Sequence, residues 1–517
     1  MRSLLIFYFL INTGLALKIL VFSAPLGFSH MQFMAAIADT LFEAGHDVTV
    51  LHPVAHPEKL HAVSKKSKQL LIHLPKSHYR HHDAKEMGLW NLASDSVIDR
   101  MSIVMTFTES QLEMCEYLLR DNYTINLLRN EKFDVGISEI FALCGFGIFE
   151  LANIPNLVGA SAVGVVDTMN EFIDVPIMPS FMPSFLSSYG ENMTFQQRFV
   201  NFFLHGAVSM ASQLIRFRYE RIFAKYGLYS GLREFVYARI NYVLSNSDEF
   251  LDFSWPKSDK LVHIGGITLP KTATLEEKYR LIMERHDRRG VILISFGSSV
   301  PTVQMPHSMR TAILDAVSKF QNYTFIWKID ETDTVPEMPN LVTSSWLPQA
   351  ALLGHPKLRC FVSHGGLNSV LELARNGKPS ILVPLYGDQH RNAKLVESRG
   401  SAIVIYKEHL TSENLIKSLQ TILEDDIYRQ KAERLSSLMT RKPFDLKERL
   451  LSTVEFSALH GKIEELNSYS YKMGVVQYFS LDVLFVTLSM LVLLVPILIH
   501  VVRKLFRFMF VYKYKAH

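Results

Sequence analysis

The sequence predicts an α/β protein: two doubly wound, Rossmann-like domains followed by a single C-terminal transmembrane helix. Three observations carry that reading. Short apolar runs alternate with amphipathic stretches in the order of β-α-β units, and they do so twice. The chain has 517 residues, 48% of them apolar, which is enough for two hydrophobic cores. Val483 to Val502 (VLFVTLSMLVLLVPILIHVV) carries no formal charge. At about 1.5 Å per residue it spans about 30 Å, the hydrocarbon thickness of a bilayer.

The elements follow in chain order. MRSLLIFYFLINTGLA places one arginine before an apolar run and ends on small residues, the pattern of a secretory signal occupying residues 1–17. KILVFSAP reads as a buried strand, HMQFMAAIADTLFEAGH as an amphipathic helix closing on Gly45, and DVTVLHP as the next strand. Strand and helix signals then alternate through FDVGISEIF (133–141) and NIPNLVGAS (153–161), giving a first domain over 18–265. Asp174 to about Gly227 breaks the pattern with VPIMPSFMPSFLSSY and an apolar helix candidate, QRFVNFFLHGAVSMASQLIRF. Three readings of it stay open: the wall of a greasy pocket, a contact with a membrane surface, or an insertion packed on the first domain.

Polar LPKTATLEEKYR suits an interdomain linker within 266–288. RGVILISFGSSV, NYTFIWKID, NLVTSSWLPQ, LRCFVSHGG and PSILVPLYGDQ then supply the strands of a second Rossmann-like domain over 289–467. After the span at 483–502 comes a basic tail, 503–517, with Arg503, Lys504, Arg507, Lys513 and Lys515. Basic flanks stay cytosolic, so the expected topology is type I with a lumenal body. Those five cations leave the rest of the chain near −1 against a formal total of +4, which gives no support to nucleic-acid binding. The last residues, KYKAH, resemble a lysine-based retrieval signal of the endoplasmic reticulum. Sequons at Asn122, Asn192 and Asn322 suit glycosylation of a lumenal body. Cys115, Cys144 and Cys360 are odd in number and lack metal-ligand spacing, so they are expected as core thiols. HYRHHD (78–83) and the scatter of His52, His56 and His61 are expected on solvated surface, with no metal site.

FVSHGGLNSVLEL (361–373) is an apolar strand that passes two glycines and restarts as a helix. Such a junction leaves the first backbone N–H groups of the helix unpaired, with the positive end of the helix dipole behind them, a ready site for phosphate. Gly365 and Gly366 allow close approach, Asn368 and Ser369 add donors, and His364 can face the same anion. SFGSS offers Gly297 and Ser298 on the same carboxyl edge of the sheet.

The spacing F-V-S-H-G-G-x-N-S-x-x-E, six residues, Pro379, then Pro384 and Asp388-Gln389 resembles the signature of the UDP-glycosyltransferases, and most of all the membrane-bound UDP-glucuronosyltransferase type. WLPQ (346–349) and SFGS (295–298) sit where that family has them; Ser380 departs from its usual aliphatic residue. The resemblance implies a GT-B arrangement, two Rossmann-like domains facing a cleft, the first binding the acceptor and the second a UDP-sugar co-substrate. It implies that Trp346 stacks on uracil with Gln349 beside the base or ribose, and that Glu372 accepts from the ribose hydroxyls. His364, Gly366, Asn368, Ser369 and Ser298 would hold the diphosphate, and Asp388 and Gln389 the transferred sugar.

In the same way it implies His30 as the catalytic base, oriented by Glu139 where the family usually has an aspartate. Without a D-x-D sequence there is no sign of a metal-dependent enzyme of the other common glycosyltransferase fold. The expected reaction is inverting transfer of a hexosyl group, glucuronic acid or glucose, to a hydroxyl of a small lipophilic acceptor. The family also makes a homo-oligomer plausible. A lumenal membrane protein that only binds hydrophobic ligands is the alternative, kept open by the Glu139 departure.

Overall fold

The computed structural model describes residues 16–75, 88–92, 96–270, 274–298 and 300–515. Most of the expected signal peptide and the histidine-rich 78–83 therefore lie outside the described residues. The first half contains β1 (Lys18–Phe22), α1 (Phe28–Glu43), β2 (Asp47–Val54), β3 (Lys68–His73), α2 (Val97–Leu119), α3 (Asn122–Glu131), β4 (Val135–Glu139), α4 (Cys144–Leu151), β5 (Asn156–Ser161), α5 (Phe195–Ala224), β6 (Ile240–Ser245) and β7 (Leu261–His263). Its seven strands are all parallel, in the order β3-β2-β1-β4-β5-β6-β7. A parallel sheet needs both faces covered, which is why β1, β4 and β5 are buried along nearly their whole length rather than at alternate residues.

The second half contains α6 (Glu277–Met283), β8 (Gly290–Ser295), α7 (His307–Lys319), β9 (Tyr323–Lys328), β10 (Leu341–Ser344), α8 (Gln349–Gly354), β11 (Leu358–Ser363), α9 (Leu367–Arg375), β12 (Ser380–Leu382), α10 (Gln389–Ser398), β13 (Ala402–Val404), α11 (Ser412–Glu424), α12 (Asp426–Thr440) and α13 (Leu446–His460). Its six parallel strands run β10-β9-β8-β11-β12-β13. In both sheets the strand order reverses beside the first strand of the half, between β1 and β4 and between β8 and β11. Ligands of open α/β sheets bind at the carboxyl ends of strands at such reversals.

Four features differ from the sequence-based expectation. Cys115 and Cys144 form a disulfide between α2 and α4, their Cα atoms 5.3 Å apart, so only Cys360 is a core thiol. His52 is buried on β2, its Nδ1 2.6 Å from the Ser23 carbonyl, while His61 is exposed as expected. The linker is not free: Tyr279 of α6 is buried and donates from its hydroxyl to Ser344 Oγ at 3.2 Å and to the Trp346 carbonyl at 3.1 Å. Helix α13 lies within the range expected for the second domain but packs on the first sheet. Leu450 and Val454 are buried in the cluster around Ile19, Val48 and Val135, and Asn241 Nδ2 donates to Ser457 Oγ at 2.8 Å.

The two halves are bolted together. Arg391 of α10 pairs with Asp252, both buried, and its guanidinium lies 5.1 Å from the rings of Phe253 and Trp255. Leu89 and Trp90, from the first half, enter the core of the second, where Trp90 Nε1 donates to the Pro301 carbonyl at 2.8 Å.

Residues 467–517 form a separate unit. Its helix α14 (Leu481–Lys515) contains a segment, Leu481–Arg507, of mean hydropathy 2.6 that is long and apolar enough to cross a membrane. The helix continues beyond Val502 through most of the basic tail, with Pro496 inside it.

Candidate functional site

The carboxyl ends of β1 and β4 carry the first part of the site. β1 ends at Phe22, and the chain turns through SAPLG before α1 starts at Phe28, which puts His30 in the first turn of that helix. Glu139 is the last residue of β4, the neighbouring strand. His30 Nδ1 lies 2.6 Å from Glu139 Oε1. The same carboxylate oxygen accepts the Ala162 N–H at 3.1 Å, so Glu139 is anchored from behind. The longer side chain thus reaches the histidine without strain on the strand. Burial disfavours the charged imidazole, but the charge and hydrogen bond of Glu139, with the charge of Asp388, outweigh it and raise the His30 pKa above 6.5.

The second part stands at the ends of β8 and β11. His364 is held between Gly297 and Gly366: a Cβ on either glycine would come within 2.7 or 2.6 Å of His364 Nε2. Gly297 also has a φ of +82°, which side-chain-bearing residues rarely adopt. The glycines therefore make room for an imidazole. Burial and the nearby Lys328 ammonium push the His364 pKa down to about 4, so at neutral pH its ring is uncharged. Gly366 caps α9, whose leading N–H groups open beside this ring. Asn368 Oδ1 accepts from Asn246 Nδ2 of the first half at 3.1 Å.

One turn along α9, Gln349 Nε2 donates to Ser369 Oγ at 3.0 Å and to Glu372 Oε2 at 2.5 Å. Burial raises the Glu372 pKa. Trp346, 68% exposed, presents an open ring face with Lys328 Nζ 5.5 Å from its centroid. On the next loop, Asp388 Oδ2 accepts from Asn392 Nδ2 at 2.7 Å, and burial raises its pKa. Gln389 Oε1 accepts the Leu385 and Tyr386 N–H groups at 2.9 and 3.1 Å, which leaves its amide nitrogen as the group available to a ligand.

The residues expected from the sequence for catalysis and for the UDP-sugar, Glu139 excepted, line one cavity of about 1030 Å³, and so does Lys328. His30 and Ser298, from different halves of the chain, face the same space. Its far wall is apolar, with Phe107, Phe141, Phe172, Phe185 and Ile215 among the lining. Val208, Ala211 and Ile215 belong to one edge of α5, so the proline- and phenylalanine-rich segment both packs on the first half and lines the pocket. Two residues that the sequence reading missed join the site. Lys328 ends β9 on the same carboxyl edge and donates to the Gly297 carbonyl at 2.9 Å; the strand FIWK pointed to that edge. Asn246 follows β6, and no local pattern marked it. The sequon residues Asn122, Asn192 and Asn322 are exposed. Among the described residues no cluster of metal-ligating side chains occurs.

Two parallel-sheet domains whose reversal points face one cavity, with a glycine-flanked histidine and a helix N-terminus on one side, define a glycosyltransferase of the GT-B class. A solved structure of that kind, UGT2 of Phytolacca americana complexed with UDP-2-fluoro-glucose and pterostilbene, superposes with a TM-score of 0.57 at 16% identity, covering 86% of this chain and 100% of that one. The sequence model of the UDP-glucoronosyl and UDP-glucosyl transferase family matches residues 18–516, and the chain belongs to that family. It is 28% identical over 485 residues to the putative UDP-glucuronosyltransferase ugt-46 of Caenorhabditis elegans, covering 92% of this chain and 91% of the relative. It is 27% identical over 495 residues to human UDP-glucuronosyltransferase 1A6, covering 92% and 90%. The chain is a glycosyltransferase that uses a UDP-sugar.

Proposed function

We propose that the enzyme transfers glucuronic acid or glucose, with inversion, from its UDP conjugate to a hydroxyl of a small lipophilic acceptor, and that His30 is the base. The observation that carries this reading is the 2.6 Å contact between His30 Nδ1 and Glu139 at the edge of the shared cavity. With Nδ1 engaged by the carboxylate, Nε2 is the free acceptor. The acceptor hydroxyl gives its proton to Nε2 as its oxygen bonds to the anomeric carbon. The bond from that carbon to the β-phosphate oxygen breaks, and UDP leaves with the electron pair. Glu139 stabilises the imidazolium that forms.

Charge developing on UDP meets the α9 N-terminus, neutral His364 and Lys328. Trp346, Gln349 and Glu372 suit the uridine, Asn368, Ser369 and Ser298 the diphosphate, and Asp388 with the Gln389 amide the sugar hydroxyls. The apolar wall suits a lipophilic acceptor, as does the pterostilbene named with the plant structure. The apolar helix and basic tail support an anchor in the endoplasmic reticulum membrane with the body lumenal; the Cys115–Cys144 disulfide fits an oxidising compartment.

The test is sugar transfer by microsomes expressing the chain, with UDP-glucuronate and UDP-glucose offered separately against a panel of phenols, and His30→Ala as control. Transfer with one donor, lost in the variant while UDP binding persists, is the expected result. A folded protein that binds UDP but transfers nothing would favour the ligand-binding alternative.

A further inference from the structure

We infer that the acceptor carries a second, neutral oxygen function, a carbonyl or hydroxyl at the end of its apolar skeleton away from the reacting hydroxyl, and that Gln111 and Tyr219 bind it. The inference rests on the cavity taking the acceptor as proposed above. Both side chains line that cavity, and they are only 3% and 2% exposed. Among the described residues, neither the amide nitrogen and oxygen of Gln111 nor the hydroxyl of Tyr219 hydrogen-bonds to protein. Buried polar groups are almost always hydrogen-bonded, so these atoms on an apolar wall need a partner from outside the chain.

The two residues stand at one level of α2 and α5. Arg218 Nη2 donates to Glu109 Oε2 at 2.6 Å and Lys225 Nζ to Glu116 Oε1 at 2.8 Å, each bond joining residues 109 apart in sequence. The helices therefore run side by side in the same direction, which puts Gln111 level with Glu220, the residue after Tyr219. One turn before each, Phe107 and Ile215 line the same wall. This level is remote from the donor. Arg100, about 16 Å back along α2, stands at the sugar end: burial and then its charge lower the pKa of His390, the neighbour of Gln389. Other polar groups of the wall are engaged within the protein, Thr108 Oγ1 donating to the Val104 carbonyl at 2.8 Å and Glu171 accepting from Arg216 at 3.0 Å. Arg218 is likewise paired, with Glu109, so an anion would meet no available countercharge. A carbonyl or hydroxyl can accept from the Gln111 amide or from the Tyr219 hydroxyl, which burial keeps protonated. A site built to hydrogen-bond an oxygen rejects the analogue that lacks it.

The experiment supplies the full chain in microsomes with both UDP-sugars and with matched acceptors: phenol, biphenyl-4-ol and stilbene-4-ol, each bearing at its far para position either acetyl or the shape-matched isopropenyl group. The readout is the ratio of kcat/KM, acetyl over isopropenyl, compared between wild type, Tyr219→Phe and the double variant Gln111→Leu, Tyr219→Phe. In that comparison, partition into lipid and any loss of folded protein cancel. On at least one framework the ratio should fall severalfold in Tyr219→Phe and about tenfold or more in the double variant. A ratio unmoved by both variants on all three frameworks overturns the proposal, with water as the partner of both groups. Binding of the biphenyl and stilbene acceptors to the UDP-loaded chain, read by their fluorescence, measures the same preference without turnover. A preference in binding that the variants abolish, with no sugar transferred, upholds the proposal and fails the catalytic reading instead.

Discussion

Replacing Glu139 by glutamine removes one charge and keeps the shape of the side chain. The carboxylate is 2% exposed, lies 2.6 Å from His30 Nδ1 and is held by the Ala162 N–H. A hydrogen bond to a buried charge contributes about 1.5–3 kcal/mol. If that stabilisation is expressed as the imidazolium forms, its loss lowers kcat/KM by roughly 10- to 150-fold at about 1.4 kcal/mol per decade. The pH profile moves as well. Glu139 and Asp388 raise the pKa of His30, and the base must be neutral to take a proton, so the wild-type rate falls as pH drops through a value above 6.5. In the Gln variant, burial is opposed by Asp388 alone, and the acid limb moves to lower pH while the plateau rate falls. Initial rates of phenol conjugation across the acid and neutral range, with UDP binding as control, check both signs. A reduced plateau with an unmoved limb would show that Glu139 is structural; an unchanged plateau would refute its role altogether.

Further outcomes follow from contacts described above. Gly366→Ala drives a methyl group into His364 and is expected to weaken UDP binding at least about tenfold, some 1.4 kcal/mol, by calorimetry. Asp252→Ala strands the buried Arg391 and should cost about 3–5 kcal/mol in a denaturant melt, whereas breaking the exposed pair Arg280–Glu277 should leave the melt nearly unmoved. Cys115→Ser opens a loop with a sequence separation of 29 and should lower stability by about 2–4 kcal/mol, with wild type matching it after reduction.

What the sequence made legible is what local pattern controls. The strands that end at the reversal points are apolar runs closed by glycine or polar residues, so β1, β4, β8 and β11 were readable, and with them the edge where His30 and His364 stand. Contacts between distant segments were not. Leu450 and Val454 mark α13 as buried on one side, but nothing local says on which sheet. Two cysteines with a separation of 29 carry no sign of pairing until α2 and α4 are packed. Asn246 and Trp90 act across the domain boundary, where side-chain pattern is silent. Glu139 was placed by its register on β4; that its extra methylene fits required the Ala162 N–H behind it.

The return of α13 to the first sheet also sets an order of events during synthesis. The face of β4, β5 and β6 that α13 covers cannot be sealed until residues 446–460 have been made, after the whole second domain. At about 5–20 residues per second that delay after β7 is roughly ten to forty seconds. For that interval the nascent first domain carries an open apolar stripe, a target for chaperones. A ribosome that stops before Leu446 releases a chain whose first domain is unfinished although every strand of its sheet is present.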